Sequence, residues 1–262
     1  MSKQPARCQG GFTLLELIVI MGVSLMFSSL VLYFTFEYWR LSATLNNDLQ
    51  SFVGRLNAGD RLRDAINESS GLIIQNSIAD SHTGDPDPSI PSGNYWNPLH
   101  AIPGNTAIGA VSTITPILYF KSPSTDSSKN VILNGDIPYE DEFVLYLDGT
   151  TKQMRLRTLA NSSAPSNHNK TTCPAASVSS TCPIDRLIAD NVASIDLRYF
   201  SRSGNLLDYT SIVDPLTGNY IGPDMPVVEV VELTLHTSKK STLHGGADTT
   251  SQTIIRVALR NS

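Results

Sequence analysis

The sequence predicts an α+β protein: a long N-terminal helix, membrane-spanning in its first half, packed on an antiparallel β-sheet domain. Three observations carry this expectation. Residues 12–36 form an almost unbroken apolar run whose single charged side chain is Glu16. The pattern then turns amphipathic rather than ending, with no proline anywhere from Phe12 to Ile66. Beyond Gly71 the chain is rich in β-patterned runs separated by stretches of Asp, Pro, Gly, Ser and Asn.

The apolar run comes first. A spanning helix needs roughly 20 apolar residues at 1.5 Å rise each, and Phe12–Phe36 supplies that length. Lys3 and Arg7 precede it, so the positive-inside rule keeps the N-terminus in the cytoplasm and sends the remainder outside. A cleaved secretory signal peptide would have a shorter apolar core followed by a small-x-small site. Here Trp39-Arg40-Leu41 follows, with only Leu41-Ser42-Ala43 beyond. Glu16 is the informative residue: at the centre of a membrane helix an acid costs about 2.5–3.5 kcal/mol, and near one end it still needs a partner.

From Leu41 to Ile66, Leu45, Leu49, Phe52, Val53, Leu56, Leu62 and Ala65 recur at helical spacing with charged and amide residues between them. One helix of about 55 residues, about 80 Å long, would result. Gly54 and Gly59 weaken it by about 1 kcal/mol each relative to alanine. Its apolar stripe suits either a coiled-coil seam or a sheet, and the strand-rich continuation favours the sheet. Ser69-Ser70-Gly71 ends it.

Leu72-Ile73-Ile74 reads as a short first strand. The stretch 79–115 has little periodicity and reads as a long surface loop. Strands are expected at 117–121, 142–147 and 153–159, with Asp148-Gly149 as a hairpin turn, then at 192–200, 227–237 and 253–260. In the first of the last three, Ile195, Leu197 and Tyr199 alternate with Asp196 and Arg198.

The chain has three cysteines. Cys8 precedes the span, which leaves Cys173 and Cys182 as an even pair in the exported part, and a disulfide between them is expected over two free thiols. Such a bridge would stabilise by about 2–3 kcal/mol.

The residues Gly11-Phe12-Thr13-Leu14-Leu15-Glu16, after a short basic leader, resemble the processing site of type IV pilins and type II secretion pseudopilins. The resemblance implies that prepilin peptidase cuts between Gly11 and Phe12, that the new Phe12 amine is N-methylated, and that Glu16 pairs with such an amine on a neighbouring subunit. It implies as partners the peptidase, other pilins or pseudopilins through the N-terminal helix, and an inner-membrane assembly platform. The domain plan becomes a leader 1–11, a transmembrane and fibre-core half 12–36, an amphipathic half 37–70 and an extracytoplasmic β-rich domain 71–262. Losing the leader removes Lys3 and Arg7, which takes the formal charge from −5 to −7.

A second, less specific resemblance covers about 60 residues. Leu187-Ile188-Ala189-Asp190-Asn191-Val192, Leu197-Arg198-Tyr199-Phe200, Gly204-Asn205 and Pro226 to Leu235 are similar to the C-terminal half of PilW-like minor pilins and J-type pseudopilins. It implies a priming or near-tip subunit rather than the abundant repeat, and Glu16 argues against the extreme tip.

Other chemistry is not indicated. There is no G-x-S-x-G, H-E-x-x-H, P-loop or C-x-x-C, so no enzyme is expected. The five histidines, His82, His100, His168, His236 and His244, lie in or beside expected loops without ligand spacing. Asp80, Asp85 and Asp87, or Asp208, Asp214 and Asp224, are oxygen sets that calcium would accept, at undiagnostic spacing; no other cofactor is expected. An acidic chain without a basic tract gives no reason to expect direct nucleic-acid binding. The rival reading is an uncleaved, single-pass anchored surface-binding protein whose 79–115 loop holds a carbohydrate or host ligand.

Overall fold

The computed structural model describes residues 13–73, 75–80, 96, 114–201, 203–207, 228–239 and 249–259. Helix α1 runs Leu14–Asn67, 54 residues. The chain divides into two compact units, residues 1–53 and 54–262.

In the first unit the apolar side chains of α1 are exposed, among them Leu30, Phe34 and Trp39. Leu14–Asn46 is long and apolar enough to cross a membrane, as an anchor or a signal sequence would be. Three of its hydroxyls fold back on the helix: Ser29 Oγ donates to Met26 O at 2.8 Å, Thr35 Oγ1 to Val31 O at 2.7 Å and Thr44 Oγ1 to Arg40 O at 2.9 Å. In hydrocarbon an unpartnered hydroxyl is costly, and this local bonding removes the cost.

In the second unit α1 contributes one stripe. Ala58, Leu62 and Ile66, spaced by four, are buried, with Ala65 partly so. The sheet-packing alternative therefore holds for this last part of the predicted stripe, whereas Leu41, Leu45, Leu49, Val53 and Leu56 are exposed. After Asn67 the chain turns, Ser69 N donating to Ile66 O and Ser70 N to Lys121 O, directly into β1 (Gly71–Ile73).

An antiparallel five-stranded sheet follows, in the order β1, β2 (Ile114–Pro123), β5 (Glu140–Asp148), β6 (Gln153–Leu159) and β7 (Arg186–Ala189). Pro116 has no N–H to offer the ladder, and the register shifts by a bulge between Pro116 and Leu118. β2 is buried at five successive positions, 116–120, and β5 at four, 144–147, so both faces of the sheet are covered. Cross-strand register places Tyr119, Val144, Tyr146, Arg155 and Arg157 on one face. Phe120, Leu145, Leu156 and Met154 lie on the other and share one continuous core with the α1 stripe.

The chain leaves this sheet at Asp190-Asn191, where Asn191 takes φ 55°, a left-handed conformation that asparagine tolerates. It enters an antiparallel three-stranded sheet ordered β10 (Thr249–Ala258), β9 (Val228–Lys239), β8 (Val192–Ser201). Ile195, Leu197, Val231, Leu233, Leu235, Ile255 and Val257 bury their side chains in the same core, and Arg198 and Arg256 remain exposed. Gly59 of α1 lies against β10, since a Cβ there would stand 3.7 Å from Ile255 Cγ1. Arg61 Nη1 donates to Leu187 O at 3.0 Å, and Arg186 Nη2 returns a bond to Arg61 O at 2.7 Å, so α1 also blunts the β7 edge.

A small hairpin, β3 (Leu133–Asn134) and β4 (Ile137–Pro138), interrupts the path from β2 to β5 and was not expected from the sequence. Its two-residue turn places Gly135 at φ 67°, where an L side chain is strained. Gly135→Ala is expected to destabilise by about 1–2 kcal/mol, read from thermal unfolding. An unchanged melting temperature would show that the turn relaxes to another type.

Candidate functional site

Among the described residues two places bear most on function. The first is the start of α1. Glu16 lies in the first turn, and its Oε2 accepts from Thr13 N and Thr13 Oγ1, both at 3.2 Å, while Glu16 N donates to Thr13 Oγ1 at 3.3 Å. This reciprocal pair is a capping box: it satisfies free amide donors and sets a negative charge at the positive end of the helix dipole. Gly11 and Phe12 lie outside the described residues.

The second is on the Tyr146 face of the five-stranded sheet. β6 carries Arg157 there, 1% exposed, between Asp185 and Asp80, which are equally buried. Arg157 Nη2 and Nε donate to Asp185 at 2.9 and 3.2 Å, and Nη1 donates to Asp80 Oδ2 at 2.6 Å. Tyr146 Oη and Thr172 Oγ1 also donate to Asp185, at 2.5 and 2.6 Å, and Trp96 Nε1 donates to Asp80 at 2.9 Å. The guanidinium carbon lies 5.1 Å from the Trp96 ring centre and 5.8 Å from that of Tyr146. Burial works against the charge on Arg157, but the hydrogen bonds and charge of Asp185, then the charge of Asp80, outweigh it and hold the guanidinium protonated.

The segment that covers this face is fixed by further buried groups. Glu142 accepts from Ser77 N at 2.7 Å and Ile78 N at 2.9 Å. Asn76 Oδ1 accepts from Trp96 N, and Gln75 Nε2 donates to Trp96 O. Further along, Asp141 accepts from four neutral donors, Ser124 Oγ, Asn161 N, Asn167 Nδ2 and Asn169 Nδ2, at 2.7–2.8 Å, and so pins the loop that follows β6.

These clusters organise structure; their polar groups are spent on each other. Asp80, one of the calcium candidates, already faces a guanidinium, a position a divalent cation would contest. Asp85, Asp87, Asp208, Asp214 and Asp224 lie outside the described residues, as do most of 79–115 and His82, His100 and His244. Among the described residues no group of three or more His, Cys, Asp or Glu is arranged to hold a metal. His236 stands near the end of β9, within the strand expected at 227–237, its Nε2 3.0 Å from Asp196 Oδ2. Cys173 and Cys182 are bonded to each other.

Burial, then Asp185, pushes the Tyr146 phenol above the ordinary tyrosine value of 10.0, and burial does the same to Tyr119. The folded state therefore keeps these protons when the unfolded chain has lost them. Stability should be complete below that value and fall as pH rises through it, so denaturant midpoints at about pH 8 and about pH 11 should differ, the latter being lower.

Neither a family model, a curated protein nor a solved structure matches the chain. Function is accordingly argued from its own residues.

Proposed function

We propose that this protein is a minor pilin or pseudopilin. It is a membrane-held subunit, cut after Gly11 by prepilin peptidase, that primes or sits near the tip of a type IV pilus or type II secretion pseudopilus. The observation that supports this reading best is Glu16 in the first turn of α1, the single charge of the apolar run 12–36, with the hydrophobic side chains of Leu14–Asn46 exposed. The capping box with Thr13 uses that acid within the chain, and pairing with a neighbour's amine is the second use proposed for it. A freed amine on Phe12 is a cation, and in apolar surroundings each of the two charges is penalised when alone and relieved when paired. Gly11 is small enough for a peptidase, Phe12 provides the amine and Glu16 its acceptor. Neighbouring helices and the assembly platform take up the exposed apolar surface, and the α+β domain is displayed outside the inner membrane.

The test is the N-terminal mass of the protein from its own membranes. A chain beginning at N-methyl-Phe12 is expected. An intact Met1 leader in cells with active peptidase would overturn the reading in favour of an uncleaved, anchored surface-binding protein. Glu16→Ala should still be processed yet disappear from sheared fibres, or from pseudopilus complexes captured by cross-linking. Unchanged incorporation would remove Glu16 from assembly.

A further inference from the structure

The disulfide and the buried Arg157 centre share a stem. Thr172 N donates to Thr158 O at 3.0 Å and Thr158 N to Thr172 Oγ1 at 2.9 Å, which lays the chain before the bridge along β6. Cys173 N donates to Pro183 O and Asp185 N to Cys173 O, each at 2.8 Å, tying the two ends of the bridged loop together. Asp185 is thereby delivered to Arg157, with Thr172 Oγ1 on its other oxygen. From Arg157 the bonds continue to Asp80 and from Asp80 to Trp96. The bridge and the covering segment are thus joined by an unbroken hydrogen-bonded path through one strand.

The second sheet shares the apolar core but takes no part in this hydrogen-bonded path. Its main-chain bonds to the rest of the domain include Val192 N to Lys152 O and Ser238 N to Asn191 O, at the far end of β7 from the stem. What the bridge controls is therefore local.

We propose that the Cys173–Cys182 bridge is a redox latch on the 75–80 and Trp96 segment. Closed, it holds Asp185 against Arg157, and Arg157 in turn seats Asp80 and Trp96 on the sheet. Opened, it releases that segment while β8, β9 and β10 stay folded. A dithiol opens it: one thiolate attacks a bridge sulfur, the other cysteine leaves as a thiolate and takes a proton, and the second thiol resolves the mixed disulfide. The bridge gains two electrons and two protons, and the dithiol becomes a cyclic disulfide. Both cysteines are fully buried, so attack waits on a local opening of the loop. The latch does not depend on whether the chain joins a fibre.

The chain has two tryptophans, so full-length Trp39→Phe in detergent leaves Trp96 as the reporter. Fluorescence and acrylamide quenching are compared before and after dithiothreitol, with reduction confirmed by alkylation and mass. Reduction should shift Trp96 emission to the red and raise its quenching to that of a solvated indole, while amide protection across 192–201 and 228–239 is kept. Cys173→Ser with Cys182→Ser should reproduce this. Asp185→Asn should unseat Trp96 with the bridge intact. A shielded Trp96 in any of the three would overturn the latch. So would joint loss of Trp96 shielding and β8–β9 protection, which would make the bridge a support of the whole domain.

Discussion

Replacing Arg157 by methionine is expected to destabilise the second unit by about 3–5 kcal/mol, the range for breaking a buried ion pair from one side. Methionine fills a comparable volume, so little of this is cavity. What remains is two carboxylates, Asp80 and Asp185, both buried and both having lost their common cation. Tyr146 and Thr172 still donate to Asp185, and Trp96 to Asp80, but neutral donors do not neutralise charge. The variant can recover by taking up a proton or by admitting water, and either route loosens the segment carrying Asp80 and Trp96. Urea unfolding of the full chain reads the loss. Arg157→Met combined with Asp80→Asn and Asp185→Asn should recover part of it, because the triple variant buries no net charge. A loss under about 1 kcal/mol in the single variant would mean that the carboxylates are hydrated already, and the argument from burial would fail.

That centre also marks where sequence reasoning ran out. Arg157 and Asp80 are 77 residues apart, and nothing in the spacing of either announces the other. The cue that was available is the pattern of β5: Phe143 to Leu147 is a continuous apolar run, the mark of a strand covered on both faces, where a half-exposed strand alternates. The stretch 79–115 was read as a surface loop, whereas Asp80 and Trp96 within it are fully buried on that second face, alongside residues 75–78. Asp80 read as a metal ligand because short acidic spacings look alike from sequence, whether the cation they face is calcium or a guanidinium. The β3–β4 hairpin was missed although Asn134-Gly135 is a turn signal, because its strands are two residues long and carry exposed Leu133 and Ile137. By contrast the inward set Ile195 and Leu197 was legible, since it satisfies a local period that its burial then respects; in the Gln153–Leu159 strand Met154 and Leu156 keep that period and buried Arg157 breaks it. The helix was legible for a simpler reason: no proline interrupts it.

Leu62→Ala is expected to destabilise the second unit by about 2–5 kcal/mol, whereas Leu30→Ala, in the same helix and with the same atoms removed, should leave domain unfolding unchanged. Leu62 is fully buried between Ala58 and Ile66 in the stripe that shares the domain core, so its truncation loses transfer energy and leaves a cavity that its close-packed neighbours cannot fully collapse to fill. Leu30 is 56% exposed in the isolated chain and has no core to leave. Its apolar surface is satisfied only by something outside the chain, lipid or neighbouring helices under the reading proposed above. The pair therefore separates the two tasks of α1 by measurement: Leu62→Ala should lower the urea midpoint, and Leu30→Ala should be silent there, with any effect confined to membrane retention or assembly. If Leu30→Ala destabilised the domain as much as Leu62→Ala, the first half of the helix would be a structural part of the fold, and its exposed apolar surface would no longer call for lipid or a partner.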